Sequence, residues 1–214
     1  MPKIVDREAR RLEIVETYVK LAAAEGFEAV TTRRLASELG VAAGALWHYF
    51  KGFDEVLLRA FQLMYERTDA RMQAETDTRR GIDALCALVE QTHPLDPLTS
   101  DEAHVVVSFW GRVPFHKDFA QIQSNVEDHW HRTYSRALEQ AVEDGELVAG
   151  TPVQSLTDAL LALVTGYQVE HVLRTRIAEP VRQWGVIQTL LGPWLTPVGA
   201  ERGRFAERAA SATA

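Results

Sequence analysis

The chain has 214 residues, 46% hydrophobic and 25% charged, a composition that suits a globular protein with room for a sizeable core. Its longest aliphatic run, Ala159 to Val164, falls far short of the roughly 20 residues of a membrane span, and no apolar signal segment opens the sequence. The net charge of −7 speaks against indiscriminate nucleic-acid binding, yet residues 1–51 hold 8 Lys/Arg against 7 Asp/Glu while the remainder holds 15 against 23. A local basic surface is therefore allowed near the N-terminus.

No stretch alternates with period 2, so the chain reads as all-α, in about nine helices. The first spans Arg7 to Glu25, with Asp6 as N-cap, Gly26 as stop and a stripe of Leu12, Val15, Tyr18, Val19 and Ala22. Two short helices, about 33–39 and about 43–49, meet at Leu39-Gly40-Val41. A longer helix starts near Phe53 and runs to about residue 76, followed by one over about 80–92 that carries Cys86. This lone cysteine has no partner for a disulfide and fits a reducing, cytoplasmic setting. His93-Pro94-Leu95-Asp96-Pro97 breaks the chain, and the next helix, about 101–111, is apolar nearly all round. A long helix from about His116 to Asp144 ends at Gly145. Thr151-Pro152-Val153-Gln154 carries the pattern of a capping box, opening a helix to about Arg174; a final helix covers about Glu179 to Leu195. The small, polar stretch 199–214 is expected to be a flexible tail.

The chemistry concentrates in TTRRLASELGVAAGALWHYFKG, residues 31–52. Leu35, Leu39, Val41, Leu46 and Phe50 are spaced to pack two short helices together, with Gly40 supplying the left-handed turn. Thr31 and Thr32 can cap the first helix and offer groups to a phosphate, and Arg33 and Arg34 follow in its first turn. Trp47, His48 and Tyr49 put three hydrogen-bonding aromatics in succession, and Lys51 follows. A purely structural helix seldom exposes such a set.

The stretch Glu25 to Leu58 resembles the DNA-binding domain of tetracycline-repressor (TetR) type transcriptional regulators. The likeness is carried by Thr31-Thr32-Arg33, Leu35-Ala36, Leu39-Gly40-Val41, Gly44, Leu46, Trp47-His48-Tyr49-Phe50 and Lys51. It implies a homodimer with an N-terminal helix–turn–helix domain (1–52) and a helical-bundle domain for ligand binding and dimerisation (53–198), joined by the helix from Phe53. It further implies that Thr32, Trp47, Tyr49 and Lys51 hold phosphates, while Arg33, His48, Ala43 and Gly44 face bases of a palindromic double-stranded operator. The chain departs from the family at Ala42, Ala43 and Ala45, and at Phe53, where relatives often carry a lysine. The implied function is a repressor that releases DNA when a small effector binds.

In the C-terminal part, Cys86, Val89, His104, Phe109 and Trp110, with Phe119, Trp130, Tyr134 and Tyr167, form an aromatic set suited to an apolar or aromatic effector. Ala159, Ala162, Gly166 and Val169, with Trp184, Ile187, Leu191 and Trp194, give the last two long helices a second apolar face, expected to meet the partner subunit. Asp-x-x-His occurs twice, at Asp101/His104 and Asp128/His131, which keeps a helical-bundle metalloenzyme as the alternative. The sequence contains no Ser/His/Asp array, phosphate loop or zinc-spaced cluster, so neither enzyme activity nor a cofactor is expected.

Overall fold

The computed structural model describes residues 7–26 and 29–211, so the N-cap expected at Asp6 lies outside the described residues. Among the described residues the elements are ten α-helices and several 3-10 turns, with no strand. A head is built from α1 (Arg7–Glu25), α2 (Thr32–Glu38) and a 3-10 helix, Ala43–His48. Behind it, α3 (Phe53–Thr78) leads into α4 (Gly81–Thr92), α5 (Pro97–Trp110), α6 (Lys117–Glu143), α7 (Val153–Val172) and α8 (Pro180–Leu191). The short helices α9 (Pro197–Gly203) and α10 (Phe205–Ser211) follow.

Two apolar cores organise this bundle. The first joins Ile14, Val15 and Tyr18 of α1 to Leu35, Leu46 and Phe50 of the head and to Val56, Leu57 and Phe61 of α3. It continues into Val105 and Phe109 of α5 and Phe119 of α6, with Phe109 stacked between Phe61 and Phe119. The second core joins Met72 of α3 to α4, the C-terminal half of α6, α7 and α8. Helix α3, 26 residues and therefore about 39 Å long, belongs to both cores. The head thus packs directly on the body beyond residue 52.

Four elements differ from their sequence patterns. The second short helix is 3-10 over Ala43–His48, because Ala42 brings no capping side chain and six residues close few α-type bonds. Helix α5 starts at Pro97 rather than near residue 101. Asp96 caps it, its side chain accepting from Thr99 N–H at 2.8 Å while Thr99 Oγ1 accepts from Asp96 N–H at 3.2 Å, so Pro97 stands at the first helical position instead of breaking the helix. The capping box expected at Thr151–Gln154 does not form: Thr151 Oγ1 donates to the Val148 carbonyl at 2.6 Å, and α7 begins only at Val153. The tail is helical to Ser211 and folded back, with Phe205 buried beside Trp184 and Arg208 paired with Asp83 and Glu90 of α4.

The start of α4 shows why a glycine breaks the chain there. Gly81 sits at φ +62°, and a Cβ would lie 2.1 Å from the Glu146 carboxylate. That buried carboxylate accepts the Ile82 N–H at 2.7 Å, capping α4 from the α6–α7 turn.

Candidate DNA-reading head and effector cavity

In the head, Gly40 takes the left-handed conformation at φ +66° that the turn requires. Thr31 caps α2, its hydroxyl accepting the Arg34 N–H at 3.2 Å. Thr32 opens the helix and is half-buried, while Arg33 is exposed and makes no ion pair among the described residues. Arg34 is committed elsewhere, to Glu25 at 2.6 Å and Glu38 at 2.9 Å, so it ties α1 to α2 rather than extending the basic surface. Trp47, His48 and Lys51 are exposed, Tyr49 and Ala43 half-buried.

The C-terminal end of the 3-10 helix is clamped from two sides. Arg11 donates to the Tyr49 carbonyl, lies 4.3 Å over the Phe50 ring and reaches Glu55 at 3.1 Å. Glu55 in turn accepts the Lys51 N–H at 2.6 Å. That backbone N–H first, and the Arg11 guanidinium after it, hold the Glu55 carboxyl below the usual carboxylate range. Phe53, where relatives were expected to carry lysine, packs edge-on against Tyr18 at 5.5 Å, a core contact.

Gly44 is exposed, and a Cβ there would meet nothing within 4 Å, so the fold itself does not demand a glycine. Close approach to a ligand surface would. Gly44→Ala is therefore expected to leave the melting temperature unchanged yet weaken DNA binding by about tenfold, equal to ~1.4 kcal/mol. A melting curve and a gel shift on one preparation check this.

Between the two cores lies a cavity of about 650 Å³. Its apolar wall includes Phe61, Met64 and Tyr65 of α3 and Val126 and Trp130 of α6. Trp110 closes one side, its Nε1–H donating to Gln123 at 2.7 Å. Carboxylates also line it: Glu102, Glu127 and Asp158, with no Lys or Arg among the described lining residues. Glu102 is held by Arg71 at 2.8 Å and Asp158 by His131 at 3.1 Å, whereas Glu127 is exposed.

Of the residues expected to form the pocket, the structure brings Trp110 and Trp130 to this cavity. Phe109 and Phe119 belong to the first core, and Cys86, Val89 and Tyr134 to the second. Burial pushes the Cys86 thiol up to about 12, which leaves it protonated and inert. Tyr167 lies against His93 instead, the rings tilted by 47°, and His104 faces His171 outside the cavity, 5.8 Å between ring centroids. The pattern missed Tyr65, Gln91, Glu102, Glu127 and Gln168, polar members of the wall on otherwise ordinary helix faces. Among the described residues no three His, Cys, Asp or Glu side chains gather to hold a metal ion, so Asp101/His104 and Asp128/His131 form no common centre.

The expected partner-facing set divides. Trp184, Ile187 and Leu191 are buried within the subunit, and Trp194 packs against the same core. Ala162 and Gly166 are exposed, with Ala162 also on the cavity rim; Ala159 and Val169 are half-buried. The apolar groups α8 and its approach expose are instead Leu173, Ile177, Val181 and Val186. No helix among the described residues is long and apolar enough to cross a membrane.

Comparison with known proteins agrees with this geometry. A family model described as bacterial regulatory proteins of the tetR family matches residues 14–60, and one described as BetI-type transcriptional repressor, C-terminal, matches residues 81–192. The regulator BetI 2 of Chromohalobacter salexigens is 28% identical over 204 residues, 93% of this chain and 95% of that protein. The regulator PksA of Bacillus subtilis is 38% identical over 73 residues, 34% of this chain and 36% of that protein. Among solved structures, a transcriptional regulator from Saccharomonospora viridis in complex with choline superposes with a TM-score of 0.75 at 23% identity, covering 86% of this chain and 95% of that one. With its helix–turn–helix head and BetI-type helical body, the chain belongs to the TetR family of transcriptional regulators.

Proposed function

We propose that this TetR-family regulator is a homodimeric repressor, acting in the cytoplasm, that leaves a palindromic operator when a small organic cation fills the cavity between its two cores. The observation that carries this reading is the position of the cavity. One wall, Phe61 to Thr68, is α3, and the same helix forms part of the head's core from Val56 onward. A second route joins cavity to head. Val113 and Pro114 line the cavity, and their neighbours Arg112 and His116 approach Asp54, in the first turn of α3, at 3.5 and 3.7 Å. A ligand that fits only one position of α3 shifts the head by its differential affinity for the two arrangements.

The sequence pointed to an apolar or aromatic effector, and to that class we add a positive charge. Lys and Arg are absent from the described lining and the exposed Glu127 adds a negative charge, which disfavours an anionic ligand, while Phe61, Tyr65, Trp110 and Trp130 offer ring faces to a positive charge. The choline in the Saccharomonospora viridis regulator is a ligand of this type. In the head, Arg33 and His48 supply the polar base contacts, and Thr32, Trp47, Tyr49 and Lys51 supply phosphate contacts.

Footprinting on the DNA beside the protein's own gene tests the DNA half of this reading. The expected result is a protected palindrome whose affinity falls on the order of 10²-fold between about 50 and about 200 mM salt. Absence of protection, or salt-insensitive binding, would remove the reading.

A further inference from the structure

Two side chains that line this cavity each carry a buried atom without any partner, and the two atoms are of opposite kind. Trp130 Nε1 is a buried donor without an acceptor, and Gln168 Oε1 a buried acceptor without a donor. Both residues line the cavity, and Gln168 is only 6% exposed. The amide of Gln168 is not free to turn and hide this mismatch. Its Nε2 donates to the Thr92 carbonyl at 3.2 Å, which leaves Oε1 as the unbonded end.

Thr92, itself on the cavity wall, connects the two helices that carry them. Thr92 bonds through its hydroxyl to Tyr134 at 2.7 Å and through its carbonyl to Gln168, and Tyr134 lies one helical turn beyond Trp130 on α6. The other wall tryptophan, Trp110, is satisfied by Gln123. An unmet indole is thus not a general property of this wall. Leaving a donor and an acceptor buried and unbonded costs free energy that a core of purely apolar residues would avoid.

We infer that Trp130 and Gln168 determine specificity: they select an effector that carries both a hydrogen-bond acceptor and a hydrogen-bond donor, a hydroxyl or primary amide, and discriminate against its hydrocarbon isostere. The inference rests on the cavity being the effector site, as proposed above, but not on the charge of the effector. The physical basis is asymmetric. An apolar isostere gains the same ring contacts yet leaves both polar atoms buried without partners, so its affinity suffers more than a simple lost contact would suggest.

Calorimetry on the full-length protein with two matched pairs of probes tests it. The cationic pair is choline and propyltrimethylammonium; the neutral pair is benzyl alcohol and ethylbenzene. In the wild type the hydroxyl-bearing member of a binding pair is expected to bind about tenfold more tightly. Gln168→Leu and, independently, Trp130→Phe are expected to reduce that preference to near unity, read as the ratio of the two affinities within a pair, so that a change in overall affinity common to both members cancels. Because either variant could disturb packing, each is accompanied by a melting curve, and one folded variant suffices.

If only the neutral pair binds, with a preference that the variants erase, the inference stands and the cationic effector class falls. Equal affinities within a binding pair, or a preference that survives both substitutions, overturn the inference, and binding of the cationic pair then still supports the effector class. Failure of all four probes to bind the wild type overturns it as well.

Discussion

Replacing Val181 and Val186 by glutamate is expected to yield a folded monomer that binds its operator at least about 10²-fold more weakly. The two side chains are 46% and 42% exposed in the subunit, so charging them leaves the subunit's own core intact. Leu173 and Ile177, on the approach to the helix, are also exposed, as is Gly185, where no side chain would obstruct a neighbouring helix. This is the apolar surface we assign to the partner subunit. Loss of dimerisation removes the second head, and with it the avidity of two linked half-site contacts, worth about 10²–10⁴-fold. Sedimentation gives the oligomeric state and a gel shift the affinity.

Trp184→Ala serves as the contrasting control. Trp184 is 1% exposed, faces Phe205 and lies under Arg208. Its truncation should cost about 3–5 kcal/mol of stability and leave the surviving folded protein dimeric. A dimer that survives the two glutamates but not the loss of Trp184 would return the interface to the residues the sequence pattern suggested.

That pattern shows where sequence is informative. Helix α8 is apolar on two sides, and periodicity cannot say which side meets the subunit's own core. The answer lies with Phe205 and Arg208, which cover Trp184 and α4 from a segment whose small, polar composition hides two anchoring residues. The head was legible because its determinants are local. Gly40 at positive φ, the Thr31 cap and the Leu35/Leu46 contact all depend on residues within a short stretch. Arg34 was not legible, since its partners Glu25 and Glu38 take it out of the basic surface only once α1 and α2 are placed together.

The cavity was legible only in part for the same reason. Trp110 and Trp130 stand out by type, but which helix faces border a void depends on how α3, α5, α6 and α7 cross. Phe109 and Phe119, equally aromatic, stack with Phe61 into solid core. Glu127 and Gln168 look like ordinary helix residues in sequence, and only the assembled wall gives them chemical meaning.

Filling the cavity should separate effector response from DNA binding. Val106, on α5, is half-buried and lines the cavity away from the head's DNA-facing residues. An indole in its place occupies space that is otherwise open to ligand, so Val106→Trp is expected to bind operator as the wild type does. It should require at least about 100-fold more effector for release, the equivalent of ~2.7 kcal/mol. Retained DNA affinity distinguishes this from unfolding.

The most direct test of the link between cavity and head is fluorescence anisotropy of labelled operator DNA during a choline titration, run on the wild type and Val106→Trp side by side. The account predicts that the wild type releases its DNA while the variant stays bound across the same concentrations. Release of both at one concentration, or of neither, would contradict it.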